Sequence, residues 1–208
     1  MSINFAGEDG WPGWPELLGC PLPAAEAVPT PFRLGGVVRS ALGNSQRIDR
    51  LGDRWSCTYD TRLMDWEPEG RRWSVLIAQA EKQGGLFRLP QPGLRSYAIG
   101  QPVVATGTPS GRFVPIAGLR PDAIVLAGQW MSIIVAGQRY ADKVVGQAVV
   151  GADGTTTVEL VNLIRAPLPA GAVIELTVPK IEGSIEADGG KIATDGTTSW
   201  TITVTEDA

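Results

Sequence analysis

The chain has 208 residues, a formal net charge of −4 and a mean hydropathy of +0.03, and Gly 26 with Pro 16 make up about a fifth of it. The apolar fraction of 43% excludes a disordered chain, the Gly and Pro content excludes a helical bundle, and without a run of 18 apolar residues no membrane-spanning helix is expected. There is no His, which removes imidazole general bases, His-dependent triads and His-ligated zinc from the candidate chemistries.

Residues 1–30 read as an extended arm. WPGWP (11–15) and CPLPAAEAVPTP (20–31) are rich in proline, which removes backbone donors and favours irregular or polyproline structure. Such a segment cannot bury Trp11 and Trp14 by itself, so both are candidates for contact with their own domain or with a neighbouring subunit. Its start is neither basic nor followed by an apolar core, so no secretory signal is expected. FRLGGVVRSALGNSQRIDRLGDRW (32–55) reads as short strands separated by loops, with Gly35-Gly36 as a bend and Gly43-Asn44-Ser45 as a turn.

RWSCTYDTRL (54–63) alternates. Trp55, Cys57, Tyr59, Thr61 and Leu63 share one face, and Ser56, Thr58, Asp60 and Arg62 share the other, which predicts a strand buried on one side. Asp65 and Pro68, with Glu67 and Glu69 in the first turn, predict a helix over about 67–83. Trp73, Leu76, Ile77 and Ala80 fall at i, i+3, i+4 and i+7 and form its inner face, and Gly84-Gly85 ends it. LFRLP (86–90) returns to strand.

After about residue 100 the segments VVATG, RFVPIAG, AIVLAG, QWMSIIVAG and AVIELTV are short, Val/Ile-rich and bounded by Gly. Spacing of that kind predicts a β-sandwich or barrel. GQAVVGADGTTTVEL predicts a hairpin turning on Asp153-Gly154. In SWTITVTED (199–207), Trp200, Ile202 and Val204 alternate with Thr201, Thr203 and Thr205.

Charge is unevenly placed. Residues 1–30 carry four acids and no base, 31–95 carry 11 bases and 7 acids, and 96–208 carry 7 bases and 11 acids. Arg, whose planar fork suits interfaces, outnumbers Lys 14 to 4. The pattern fits pairing between subunits, with Arg47, Arg50 and Arg54 as contact candidates; it equally fits charges scattered over a solvated surface. No Lys/Arg block interleaved with aromatics suggests a nucleic-acid patch. Cys20 and Cys57 form no CxxC, which argues against zinc or redox chemistry; Cys57 reads as a small core hydrophobe. ATGTPSGR (105–112) lacks the Lys-Ser/Thr of a phosphate-binding loop. Glu159 and Glu175 have the chemistry of a glycosidase dyad, but their outward strand positions favour solvated surface.

The order FRL…RS…GNSQRIDRLGDRW, alternating strand, one helix with a buried Trp and then GLFRLPQPG resembles the distal tail, or tail-tip adaptor, proteins of siphophages and related gene-transfer agents. GLRPDAIVLAGQWMSIIVAGQRYADKVV, IRAPLPAGAVIEL and the closing IEGSIE…WTITVTED continue the resemblance in order. It covers roughly residues 32–207 and its motifs are structural, none catalytic. The 30-residue arm lies outside it.

The resemblance implies a β-sandwich that carries a helix and assembles into a ring; a sheet covered on one side leaves strand edges that neighbours can pair or protect. The fold expected is mainly β: a sandwich with one packed α-helix, formed by 31–100 and 181–208, plus an inserted β-sandwich or barrel module over 101–180. Trp55, Trp73 and Trp200 are expected to anchor the first domain and Trp130 the second. The implied function is structural, a tail-tip ring of six copies, or three, joining the tail tube protein to hub and receptor-binding proteins. The implied location is the virion tail, assembled in the host cytoplasm. No enzyme activity, metal, cofactor, membrane or nucleic-acid contact beyond the lumen is expected. The alternative is a carbohydrate-binding module recognising host-surface glycans on Trp130 and Tyr140.

Overall fold

The computed structural model describes residues 3–4, 24–34, 36–39, 43–48, 52–94, 99–108 and 110–207. Trp11, Trp14, Cys20 and Arg50 lie outside them, and of Arg47 only the backbone is described. The early strands are β1 (Ile3–Asn4), β2 (Ala24–Phe32), β3 (Gly36–Arg39), β4 (Ser45–Ile48), β5 (Arg54–Thr61) and β6 (Met64–Asp65). A wide turn (Trp66–Gly70) leads into helix α1 (Arg71–Gln83), followed by β7 (Gly85–Arg88). The middle of the chain gives β8 (Gly100–Val104), β9 (Phe113–Leu119), β10 (Ile124–Val125), β11 (Trp130–Val135), β12 (Gln138–Lys143), β13 (Ala148–Val149), β14 (Thr156–Glu159) and β15 (Val173–Glu175). The chain closes with β16 (Lys180–Gly189), β17 (Thr197–Thr198) and β18 (Trp200–Glu206). The fold is mainly β, with one α-helix among the described residues.

The chain divides into two compact units. The first comprises 1–30, 56–90 and 180–207; the second comprises 31–55 and 91–179. The sequence reading groups 31–55 with the helix-bearing unit, whereas contacts group it with the other. Residues 24–30, read from sequence as arm, are part of a sheet strand.

In the first unit a six-stranded sheet has the order β1-β7-β16-β18-β5-β2. The alternation read in the sequence sets its faces. Cys57, Tyr59 and Thr61 of β5 are buried, as are Trp200, Ile202 and Val204 of β18. Leu63 departs from the pattern at 62% exposed, because β5 ends at Thr61 and the period ends with it. Helix α1 packs on β16 with Trp73, Leu76, Ile77 and Ala80 buried, the four residues its period predicts. It starts at Arg71, later than the acidic turn suggests, because Glu67 has an extended backbone and Asp65 makes no side-chain cap. Gly84 ends it at φ 78°, its N–H donating to the Ala80 carbonyl. Tyr59 stacks on Phe87 at 5.0 Å and donates its hydroxyl to the Arg88 carbonyl at 2.8 Å. A Cβ on Gly183 would collide with the Thr205 carbonyl, so β16 and β18 approach closely only because that position is glycine.

The second unit holds a six-stranded sheet of order β12-β11-β15-β8-β9-β14 and a short β10-β13 pair. Val104, Val114, Ile116, Met131, Ile133, Ile174 and Leu176 are at the centre of its core. The predicted hairpin on Asp153-Gly154 is corrected here. The turn forms, with Gly154 at φ 75° and Asp153 accepting from Thr155, but β13 pairs with β10 and β14 with β9. The same turn recurs in the first unit, where Asp195 accepts from the N–H and hydroxyl of Thr197 at 3.0 and 2.7 Å.

Trp73 is 1% exposed on the buried face of α1. Trp73→Ala is expected to cost roughly 3–5 kcal/mol in urea unfolding, a large share of the about 5–15 kcal/mol that holds a domain. An unchanged midpoint would show that the helix does not depend on this side chain.

Candidate functional site

Trp55, expected to anchor the first domain, instead groups by contacts with the second unit, where it meets Trp130. Their rings lie edge to face with centroids 4.7 Å apart and planes at 80°. Lys143, directly opposite Trp130 across the β11–β12 pair, sets its ammonium 4.4 Å from the Trp130 ring and 5.4 Å from the Trp55 ring. The indole N–H of Trp55 donates to Asp142 Oδ1 at 3.0 Å. The Lys143 N–H donates to the same oxygen at 2.7 Å, and the Asn162 N–H donates to Oδ2 at 3.0 Å. Burial raises the Asp142 pKa above the usual carboxylate value; these three donors, with the Arg165 charge, pull it back only in part. Sequence reading found the two Trp and missed Asp142, because nothing local marks an acid on a strand as buried. The cluster is a fastening: its carboxylate is spent on protein donors.

The glycan platform is corrected. Trp130 is only 3% exposed. The pairs Trp130–Lys143 and Ile133–Tyr140 are three positions apart, so alternation puts Trp130 and Tyr140 on opposite sheet faces. The carboxylate dyad fails too. β15 and β14 are not neighbours: β8 and β9 lie between them, so Glu175 and Glu159 are not paired across adjacent strands. Nor is Glu175 fully solvated: it accepts from Ser132 at 2.9 Å and pairs with Arg139 at 3.2 Å.

Arg54 lies over the Phe32 ring at 4.8 Å. In the first unit Trp73 and Trp200 are buried. That unit also carries a surface no single strand reveals. Register aligns Ser184–Thr205–Ser56, Glu186–Thr203–Thr58 and Asp188–Thr201–Asp60 on the wet face of three strands. All nine are acids or hydroxyls; Thr58 and Thr203 meet at 3.0 Å, and Thr201 donates to Asp60 at 2.6 Å.

The second unit contains a groove of about 660 Å³, the size of a ligand site. Its walls include Leu94, Ile99, Ile124, Leu126 and Leu176, with Arg120 and Asp122 both present. Residues 95–98, which join Leu94 to Ile99, lie outside the described residues. Gln91 and Gln129, also in the lining, both donate their amides to the Leu176 carbonyl, and their oxygens accept from the Trp130 and Leu126 N–H groups. Among the described residues the groove thus combines apolar walls with the charged groups of Arg120 and Asp122. Among the described residues, no group of three or more acids or cysteines is placed to hold a metal, and no helix is long and apolar enough to cross a membrane. In comparison with known proteins, the chain matches no family model and no curated protein.

Asp142→Asn keeps the volume but turns an amide toward a donor, and is expected to cost about 1–3 kcal/mol at neutral pH. The wild-type carboxyl has its folded pKa raised, so its contribution is fully present below the unfolded value near 3.9 and is lost as pH rises through the folded value. The stability gap between wild type and variant should therefore widen on acidification. Thermal melts between neutral pH and pH 4 check the sign; a narrowing gap refutes it.

Proposed function

We propose that this chain is a structural virion protein of a tailed bacteriophage, a distal tail or tail-tip ring component. One observation carries the reading. The segments of the first unit that resemble that family come together in one element. RWSCTYDTRL, GLFRLP, IEGSIE and WTITVTED supply β5, β7, β16 and β18, four neighbouring strands of one sheet, and the Trp73 helix packs on it. A resemblance spread over more than a hundred residues gains weight when its parts build a single layer.

In this reading six copies form a ring, with three as the alternative, between the tail tube protein and the hub and receptor-binding proteins. The ring is built in the bacterial host cytoplasm and resides in the virion tail. Its work is mechanical, with no reaction catalysed. Glycan recognition on Trp130 and Tyr140 has no support from their placement.

Mass photometry of the purified protein at micromolar concentration, with micrographs of intact tails, tests this. A six-fold ring at the end of the tail tube is expected. A strict monomer in solution with no copies in tail particles would overturn the proposal.

A further inference from the structure

We infer that the wet face of the first unit's sheet docks the arginine-bearing segment of a second copy of this chain, head to tail. The rows Glu186–Thr203–Thr58 and Asp188–Thr201–Asp60 of that face set three acids among three hydroxyls. Glu186, Asp188 and Thr201 are exposed. Neither row holds a base. Arg62, two residues beyond Asp60, already pairs with Glu69 at 2.8 Å, and Lys191, just past β16, offsets part of the charge. No large apolar side chain stands in these rows, so a partner has to be held by charge and hydrogen bonds; without a partner the face is solvated surface.

The complementary charge is in the chain itself. Residues 31–55 carry five Arg against two Asp. One of those acids, Asp53, accepts from the Leu34 N–H at 2.8 Å, which fastens the base of the segment. Arg33 and Arg39 are exposed, and neither has an ion pair among the described residues. The two sets of charge lie toward opposite ends of β5. The segment runs into that strand at Arg54, and Asp60 is six residues on, about 20 Å along the strand. Within one chain Glu186, Asp188, Arg33 and Arg39 all stay exposed, so neither set covers the other. The contact that satisfies both joins the acid end of one copy to the arginine end of the next. Such a contact is heterologous: it repeats from copy to copy and makes a ring where the rotation closes. Arg suits it, because its fork pairs bidentately with carboxylates.

That copies associate rests on the ring reading; which surfaces meet does not. The test is mass photometry of full-length variants at exposed positions. Glu186→Lys with Asp188→Lys reverses the face, and Arg33→Glu with Arg39→Glu reverses the segment. Each pair is expected to weaken assembly at least tenfold, because like charges then meet. A chain carrying all four changes restores opposite signs and should assemble again. An equal mixture of the two reversed chains should alternate, which a ring of six closes and a ring of three does not. Reversed chains that assemble like the wild type overturn the inference and leave the ring reading untouched. So does a four-fold variant that melts like the wild type and stays apart. Salt is an arm that needs no variant: wild-type assembly unchanged between about 0.05 M and about 1 M NaCl also overturns the inference, since exposed charges are screened over that range. Wild type that is monomeric at low salt does the same, while the ring reading is then decided by the tail particles.

Discussion

Strand β18 is bonded along both edges, to β16 shortly before it in the chain and to β5 far upstream. The Thr58 and Thr203 hydroxyls that meet on its wet face are 145 positions apart. The first unit cannot close its sheet until β18 arrives, and residues 91–179 of the second unit lie in between. Pairings of such long range pay the loop-closure cost before their contacts form, which slows folding. Once made, they hold both faces in register: Cys57, Tyr59, Ile202 and Val204 inward, acids and hydroxyls outward. The helix, the Gly183 approach and the Tyr59–Phe87 stack all presuppose that register.

Much of this was legible because the information is local. Period-two alternation fixed the faces of β5 and β18, and the i, i+3, i+4, i+7 pattern named the helix face residue by residue. The Asp153-Gly154 turn shows where local signals stop. Its chemistry was read correctly, since an Asp accepting from the backbone two residues on and a Gly at positive φ make a turn in any context. Which strands the turn serves depends on partners elsewhere, and here β10 and β9 take them. The groove and the nine-residue wet face were illegible for the same reason, being products of register across segments distant in sequence.

Trp55 and Trp130 illustrate a subtler limit. Both were read as anchors, and both are buried. Sequence could not say that they anchor each other, nor that a buried carboxylate and a lysine complete the contact. Asp142 is tolerated because three N–H groups converge on it; without them, burial alone would drive it to the neutral form. A tryptophan that supplies one of those donors is hard to replace by another aromatic, since Phe and Tyr offer no N–H at that place.

The expectation that neighbours pair the sheet edges meets an obstacle in β2. Pro29 and Pro31 have the same parity, so the two donors they lack come from one side of the strand. A proline survives in a paired strand only with that side turned outward, and along Pro29–Pro31 that outer edge offers no donor to an added strand. The opposite edge strand, β1, is two residues long. Among the described residues, each end of this sheet therefore offers little continuous backbone for another chain to pair with. Copies of this protein that associate through the first unit would therefore do so through side chains and connecting segments, which is the kind of contact that residue choice can make specific and that exposed backbone cannot.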